Sequence, residues 1–425
     1  LGLGLASFFF MIYIIFSDIG QIKLGEPDEK PEFSTASWAA MLFCGGIGAS
    51  IMYWGCIEWA YYYLDPPFQL APGSEEAIRW AATYGIFHWG PIAWSIYLVP
   101  ALPIAYFFYV RKQPALKVSS ALMPVIGEAR SNGWTGKLVD ILFIFGLLGG
   151  GATTLGLAAP LITEGIHHLF GIPRDTLVQV LVLLACTVLF GYSAYMGMEK
   201  GIKVLSNINF WGAMGLLAFI LLAGPTIFML ETGLDSLGRM LSNFFVMATW
   251  AEPFGGYGSF KNTHFPQDWT IFYWAWWLVF APSMGLFVAR ISRGRTIKQM
   301  VVGSIFFGSM GCFLFFMILG NYGLSLQLSG KLDIVGMLQT DGAYQAIFAI
   351  LDQLPFSSVV IAAFTTLCLI FTATTFDSIS YILASVVQNN VTEEPMRWNR
   401  LFWAFTLSIM PSILLFMGGL ATLQT

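Results

Sequence analysis

The residues best suited to chemistry lie at Tyr273-Trp274-Ala275-Trp276-Trp277-Leu278-Val279-Phe280-Ala281-Pro282, inside an apolar run from Ile271 to Val288. Four indoles or phenyls and a phenol fall within eight residues. That is far more aromatic surface than an apolar segment needs. Gathered π faces suit a soft cation with no N–H to donate, such as a trimethylammonium group, which no hydrogen bond can hold but an aromatic cage can. The competing reading is helix packing or an interfacial aromatic belt. The clustering, followed by Pro282 and Gly285, favours the cage.

Three further stretches carry polar or aromatic groups at useful spacing. In His88-Trp89-Gly90-Pro91-Ile92-Ala93-Trp94-Ser95-Ile96-Tyr97, Trp94 and Tyr97 are three apart and share a helix face. Trp89 falls near Pro91 at the start of a span, where an interfacial anchor is the alternative. In Phe43-Cys44-Gly45-Gly46-Ile47-Gly48-Ala49-Ser50, three Gly stand within four residues, each costing a helix about 1 kcal/mol relative to Ala. A helix broken there offers carbonyls to a cation and N–H groups to an anion; close helix packing is the alternative. In Phe371-Thr372-Ala373-Thr374-Thr375-Phe376-Asp377-Ser378-Ile379-Ser380, the hydroxyls of Thr374, Thr375 and Ser378 beside Asp377 are hard oxygen ligands suited to Na+. Bonding of those hydroxyls back to their own helix carbonyls is the alternative. Glu58 reads chiefly as a structural cap or pair. No nucleophile–base pair and no phosphate-cradling glycine loop is visible; His167-His168 is a pair without partners.

These groups must be held by membrane helices. The chain has 425 residues, 57% hydrophobic and only 10% charged, with mean hydropathy +0.71; soluble domains carry about a quarter charged residues. Cys44, Cys56, Cys186, Cys312 and Cys368 all fall in apolar runs without metal-ligand spacing and read as packing residues. The net charge of −4 gives no sign of a nucleic-acid partner. Ten spans are predicted: Leu3 to Ser17, Trp38 to Tyr63, Ala82 to Tyr109, Val139 to Leu161, Leu177 to Met196, Phe210 to Leu230, Trp269 to Arg290, Val301 to Gly323, Ser357 to Val387 and Leu401 to Leu420. Leu234 to Met247 and Ile334 to Leu351 read as amphipathic surface segments. With this count, 15 of the 20 basic residues fall on one side, which the positive-inside rule makes cytoplasmic. The chain begins inside an apolar run and reads as trimmed.

Together these motifs resemble the betaine/choline/carnitine transporter family. Phe-Tyr-Trp-Ala-Trp-Trp at 272–277, Ala-Arg-Ile-Ser-Arg-Gly-Arg at 289–295, Pro-Glu-Phe-Ser-Thr-Ala-Ser-Trp at 31–38 and His-Trp-Gly-Pro at 88–91 carry the resemblance. It implies an all-α polytopic membrane protein with a LeuT-type inverted repeat of two five-helix units, the family's first and last spans being absent from this chain. Residues 1–37 would be a peripheral helix and cytoplasmic loop, 38–231 the first repeat, 232–268 an extracellular loop with a surface helix, and 269–425 the second repeat. The family's aromatic box resembles Trp89, Trp94, Tyr97, Trp276, Trp277 and Phe280, the last usually Trp in betaine carriers. Its sodium site resembles the carbonyls of Cys44, Ile47 and Phe371 with the hydroxyls of Thr374 and Thr375. Gly46, Gly48 and Ser50 are expected to meet the substrate's anionic end. Sodium-independent exchangers of the family carry Arg where Val246 stands and Leu where Thr375 stands, which favours a working sodium site here. The family's proton-coupled choline members carry an acid where Ser50 stands. Met284 matches a Met that the exchangers place near substrate.

The expectation is therefore a Na+-coupled symporter in the bacterial plasma membrane. It would import an onium zwitterion such as glycine betaine, carnitine or a sulfonium analogue by alternating access. No organic cofactor is expected, Na+ is the coupling ion, and the resemblance implies a homotrimer in the lipid bilayer. The alternatives are a Na+-independent substrate:product exchanger and, from another class, a membrane sensor of onium compounds that does not transport them.

Overall fold

A computed structural model describes residues 1–113, 116–388 and 394–416. Named in chain order, the helices that position the site are α1 (Gly2–Phe16), α2 (Thr35–Ile47), α3 (Ser50–Leu64), α4 (Glu75–His88), α5 (Pro91–Ala105), α6 (Trp134–Phe170) and α7 (Thr176–Met196). They continue with α8 (Lys203–Ala223), α9 (Thr226–Ser242), α10 (Phe244–Thr249), α11 (Phe272–Ile291), α12 (Ile297–Phe315), α13 (Ser357–Val386) and α14 (Arg397–Phe416). Shorter helical turns connect them. The helices start where side-chain oxygens cap free N–H groups: Ser34 accepts from Ser37, Asp175 from Val178, and Thr296 with Gln299 forms a reciprocal capping box.

Among the described residues, seven helices are long and apolar enough to cross a membrane, or eight with the bent α2–α3 pair as one span. Every predicted span overlaps a helix, but two of the ten fall short of that measure. α1 has 15 residues, too few for a hydrocarbon core of about 30 Å. α14 starts with Arg397 and Arg400, and residues 417–420 of its predicted span lie outside the described residues. The span expected to end at Leu230 stops at Ala223, because Gly224-Pro225 interrupts the ladder before α9. The surface segment expected from Leu234 instead belongs to α9 and α10, and Ile334 to Leu351 is two helices, Ile334–Thr340 and Ala343–Asp352.

Glycines set the approach of these helices. Gly45 and Gly46 do not break α2; they remain helical and let other chains close in. A Cβ on Gly45 would lie 2.6 Å from the Phe287 ring, and one on Gly46 2.9 Å from both Met284 and the Trp94 ring. The break comes at Gly48, with φ +62° and ψ −162°, and α2 meets α3 at 63°. Only glycine adopts that conformation without strain. Gly308 of α12 takes the Trp94 indole of α5 against its backbone. Gly308→Ala should therefore destabilise by about 1–3 kcal/mol through overpacking. Gly238→Ala, on an open stretch of α9 with nothing within 4 Å, should add about 0.5–1 kcal/mol. Thermal unfolding in detergent checks both signs.

Candidate functional site

The joint between α4 and α5 sets the first wall. Trp89 ends α4, and Pro91 opens α5 without an N–H to give. Because α4 begins at Glu75, seven residues before the predicted span, Trp89 lies in mid-helix pair and not at an interface, and it is buried. α11 supplies the facing wall and runs unbroken through Pro282. The Trp277 indole N–H donates 3.0 Å to the His88 carbonyl at the joint, tying the two walls together. Trp89 meets Trp277 edge-on at 5.0 Å between ring centres, and Tyr97 meets Trp277 edge-on at 5.5 Å. Trp276 lies parallel to Trp277 at 5.8 Å.

Behind these rings is a hub that the sequence reading missed. Glu58 of α3 is wholly buried, and its carboxylate accepts from three phenol or indole donors. Trp89 Nε1–H donates at 3.0 Å and the Tyr273 hydroxyl at 2.7 Å to Oε2; the Tyr62 hydroxyl donates at 2.5 Å to Oε1. Tyr62 has one proton and gives it to Glu58. His88 Nδ1 at 2.8 Å therefore donates to the Tyr62 oxygen, and Nε2 accepts from Thr270 at 3.0 Å. The signal available was an intramembrane acid, which is a functional hypothesis by default.

One cavity of about 30 Å³ lies between these walls. Trp89, Tyr97, Trp276, Trp277, Phe280 and Met284 line it from α4, α5 and α11; Gly46, Ile47 and Ser50 line it from the α2–α3 break. Thr375 and Ser378 close it from α13. Thr154 of α6 and Ser283 of α11 also line it and were not singled out from the sequence. Trp94 does not: it packs behind the wall, between Gly46 and Gly308, edge-on to Tyr97 at 5.8 Å. Gly48 likewise stays off the cavity, pressed against Thr375. The volume is that of about one water, whereas small-molecule sites span roughly 300–1,000 Å³, so the walls are drawn close together.

The Thr375 hydroxyl is 3.5 Å from the Cys44 carbonyl and donates 3.1 Å to the Phe371 carbonyl. Carbonyl and hydroxyl oxygens from α2 and α13 thus converge, a neutral hard donor set fit for an alkali cation. All three hydroxyls bond back to their own helix: Thr374 donates 2.6 Å to the Ile370 carbonyl and Ser378 2.9 Å to that of Thr374, as Thr375 does to Phe371. Asp377 does not join the hydroxyls as the sequence suggested; it faces α7, where Ser193 donates to it. Val246 is 52% exposed on α10, which packs against α1 and α9.

The sequence model for BCCT, the betaine/carnitine/choline family transporters, matches residues 1–425. The chain belongs to this family. A carnitine transporter of Acinetobacter baumannii is 35% identical, over 96% of this chain and 73% of its own length. The glycine betaine transporter OpuD of Bacillus subtilis is 38% identical, over 98% of this chain and 79% of its own. The solved structure of a Na+-coupled sialic acid symporter aligns with TM-score 0.50 at 13% identity, covering 96% of this chain and 78% of that one. That likeness is one of fold, and it is the LeuT-type all-helical architecture expected from the sequence. This BCCT protein is accordingly a multi-pass transporter of the betaine/carnitine type in the bacterial inner membrane, not an enzyme.

For this BCCT transporter the hub predicts a graded response. Tyr273→Phe removes one donor to Glu58 and should cost about 1–3 kcal/mol, since hydrogen bonds to charged groups are worth about that much. Glu58→Leu leaves three buried donors unpartnered and should cost more. Unfolding midpoints of the two variants against the parent test that order.

Proposed function

We propose that the protein is a Na+-coupled symporter that imports a trimethylammonium or related onium zwitterion, such as glycine betaine, carnitine or a sulfonium analogue. The observation that carries this reading is one cavity with two chemistries: rings on α4, α5 and α11, and oxygens on α2, α3 and α13. The onium group sits among Trp89, Tyr97, Trp276 and Trp277, with Phe280 a smaller face beside it. Each cation–π contact in a dry site contributes on the order of 1–2 kcal/mol, so three or four reach toward micromolar affinity. Met284 supplies a thioether at the methyl groups. The anionic end meets the α2–α3 break at Gly46 and Ser50, with Gly48 making the break.

Na+ lies between the carbonyls of Cys44, Ile47 and Phe371 and the Thr375 hydroxyl; Thr374 joins only by turning from Ile370. Both ligands bridge α2 to the helices that rock against it, so binding both favours closure, which is how a ligand's differential affinity drives a change of state. The relatives' names and the family support the onium class, and the symporter fold is compatible with the ion.

Uptake of labelled glycine betaine or carnitine into proteoliposomes, with and without an inward Na+ gradient, tests this. Trp277→Ala should raise the half-saturating substrate concentration about tenfold or more, the loss of one strong ring contact. Thr375→Leu should abolish the Na+ stimulation while leaving fold stability near that of the parent. Uptake that ignores Na+ and rises instead with internal substrate would make the protein an exchanger. Absence of any counterflow would make it a sensor.

A further inference from the structure

One ring of the cavity is held differently from the rest. Trp277 gathers Trp89, Tyr97 and Trp276 at 5.0, 5.5 and 5.8 Å between ring centres. The indole N–H groups of Trp89 and Trp277 are pinned as well, to Glu58 and to the His88 carbonyl. Phe280, one turn further along α11, is buried and lines the same cavity. Among the described residues it stands outside that ring network, and a phenyl ring has no hydrogen bond to give.

What holds Phe280 is bare backbone. A Cβ on Gly150 of α6 would lie 2.9 Å from Phe280 Cζ and 3.1 Å from Cε2. The tip of the ring therefore rests on α6 where a side chain is missing, one turn from the cavity-lining Thr154. Glycine weakens a helix interior, so its presence in the middle of α6 calls for a reason, and this contact supplies one. Gly146, one turn earlier on α6, has nothing within 4 Å. Any side chain at 150 must displace the ring. With α6 against its tip, the ring has the cavity to move into.

The seat controls the room between a ligand's two ends. On the onium reading above, the cation lies among the four gathered rings and the anion at the α2–α3 break. Both anchors are fixed, one by ring contacts and indole hydrogen bonds, the other by the turn at Gly48. A zwitterion with a longer spacer cannot push them apart, so its extra methylenes bow out of the line between them. How far the Phe280 wall stands back decides whether that bow fits.

We propose that Gly150 is a specificity-determining residue. By seating Phe280 against α6 it leaves room for a trimethylammonium carboxylate whose charged groups are separated by more than one carbon. The inference rests on the onium reading of the cavity.

Competition counterflow in proteoliposomes of the full chain, at saturating Na+, tests it. The tracer is labelled glycine betaine or carnitine, and the competitors are trimethylammonium carboxylates with one, two or three methylenes between nitrogen and carboxylate. In the parent, the half-inhibiting concentrations of the longest and shortest should agree within about tenfold. Gly150→Ala should raise that of the longest about tenfold more than that of the shortest, the effect of modest overpacking. Adding Phe280→Leu, a shorter side chain, should bring the ratio back, and Gly146→Ala should leave it unchanged. Should Gly150→Ala fail to assemble, Phe280→Trp puts a larger ring on the same seat and carries the same expectation. A parent that rejects the longer compounds, or a variant that weakens every length alike or none, overturns the proposal. A parent that exchanges neither tracer sinks the onium-transport reading instead.

Discussion

A carboxylate cut off from water must collect its hydrogen bonds from protein, and the rest of this site follows from how Glu58 does so. Its donors come from α3 itself, from the α4–α5 joint and from α11. Those are the elements that carry the aromatic wall. Trp89 can turn its face to the cavity because its N–H is held from behind, and Tyr273 fixes the rotation of α11 that brings Trp277 and Phe280 to the same space. A charged group in the interior is stable only with such a complete shell. The shell in turn makes the wall rigid, and a cage of π faces discriminates only if its rings stay where they are.

Helix breaks supply what intact helices cannot. An unbroken membrane helix keeps its carbonyls and N–H groups for itself. The turn at Gly48 frees backbone between α2 and α3 at the depth of the rings, and the Gly90-Pro91 joint sets the His88 carbonyl where the Trp277 indole reaches it. Both breaks lie on helices that border the cavity. The third device is close approach. Gly45, Gly46 and Gly308 bring α2, α5, α11 and α12 together until rings rest on backbone, which explains why the cavity is so small. Parting those contacts costs dispersion energy that ligand binding must offset.

The polar groups of α13 and α8 divide between use and reserve. Thr374, Thr375 and Ser378 all donate to carbonyls of their own helix, but only Thr375 and Ser378 also line the cavity, and Asp377 belongs to a different junction with α7. Ser206 and Asn209 remain without partners.

By itself the sequence determined the membrane class, the helical fold and the residue types of the cavity. Apolar run length, glycine clustering and aromatic density are local properties, and hydrocarbon leaves few structures open to them. The rings at Trp89, Tyr97, Trp276, Trp277 and Phe280 were legible because no ordinary span needs so many. Tertiary structure alone decided which of them share a space. Trp94 and Tyr97 sit on one helix face, yet only Tyr97 lines the cavity, because Gly46 and Gly308 leave the other indole a slot behind the wall. Glu58 resembled a cap until three donors from distant segments converged on it, and Val246 resembled a sodium-site position until its helix lay on the surface. Which oxygens face one another across α2, α8 and α13 depends on helix rotation and register. These are set by packing between residues more than a hundred positions apart, and no local pattern records them.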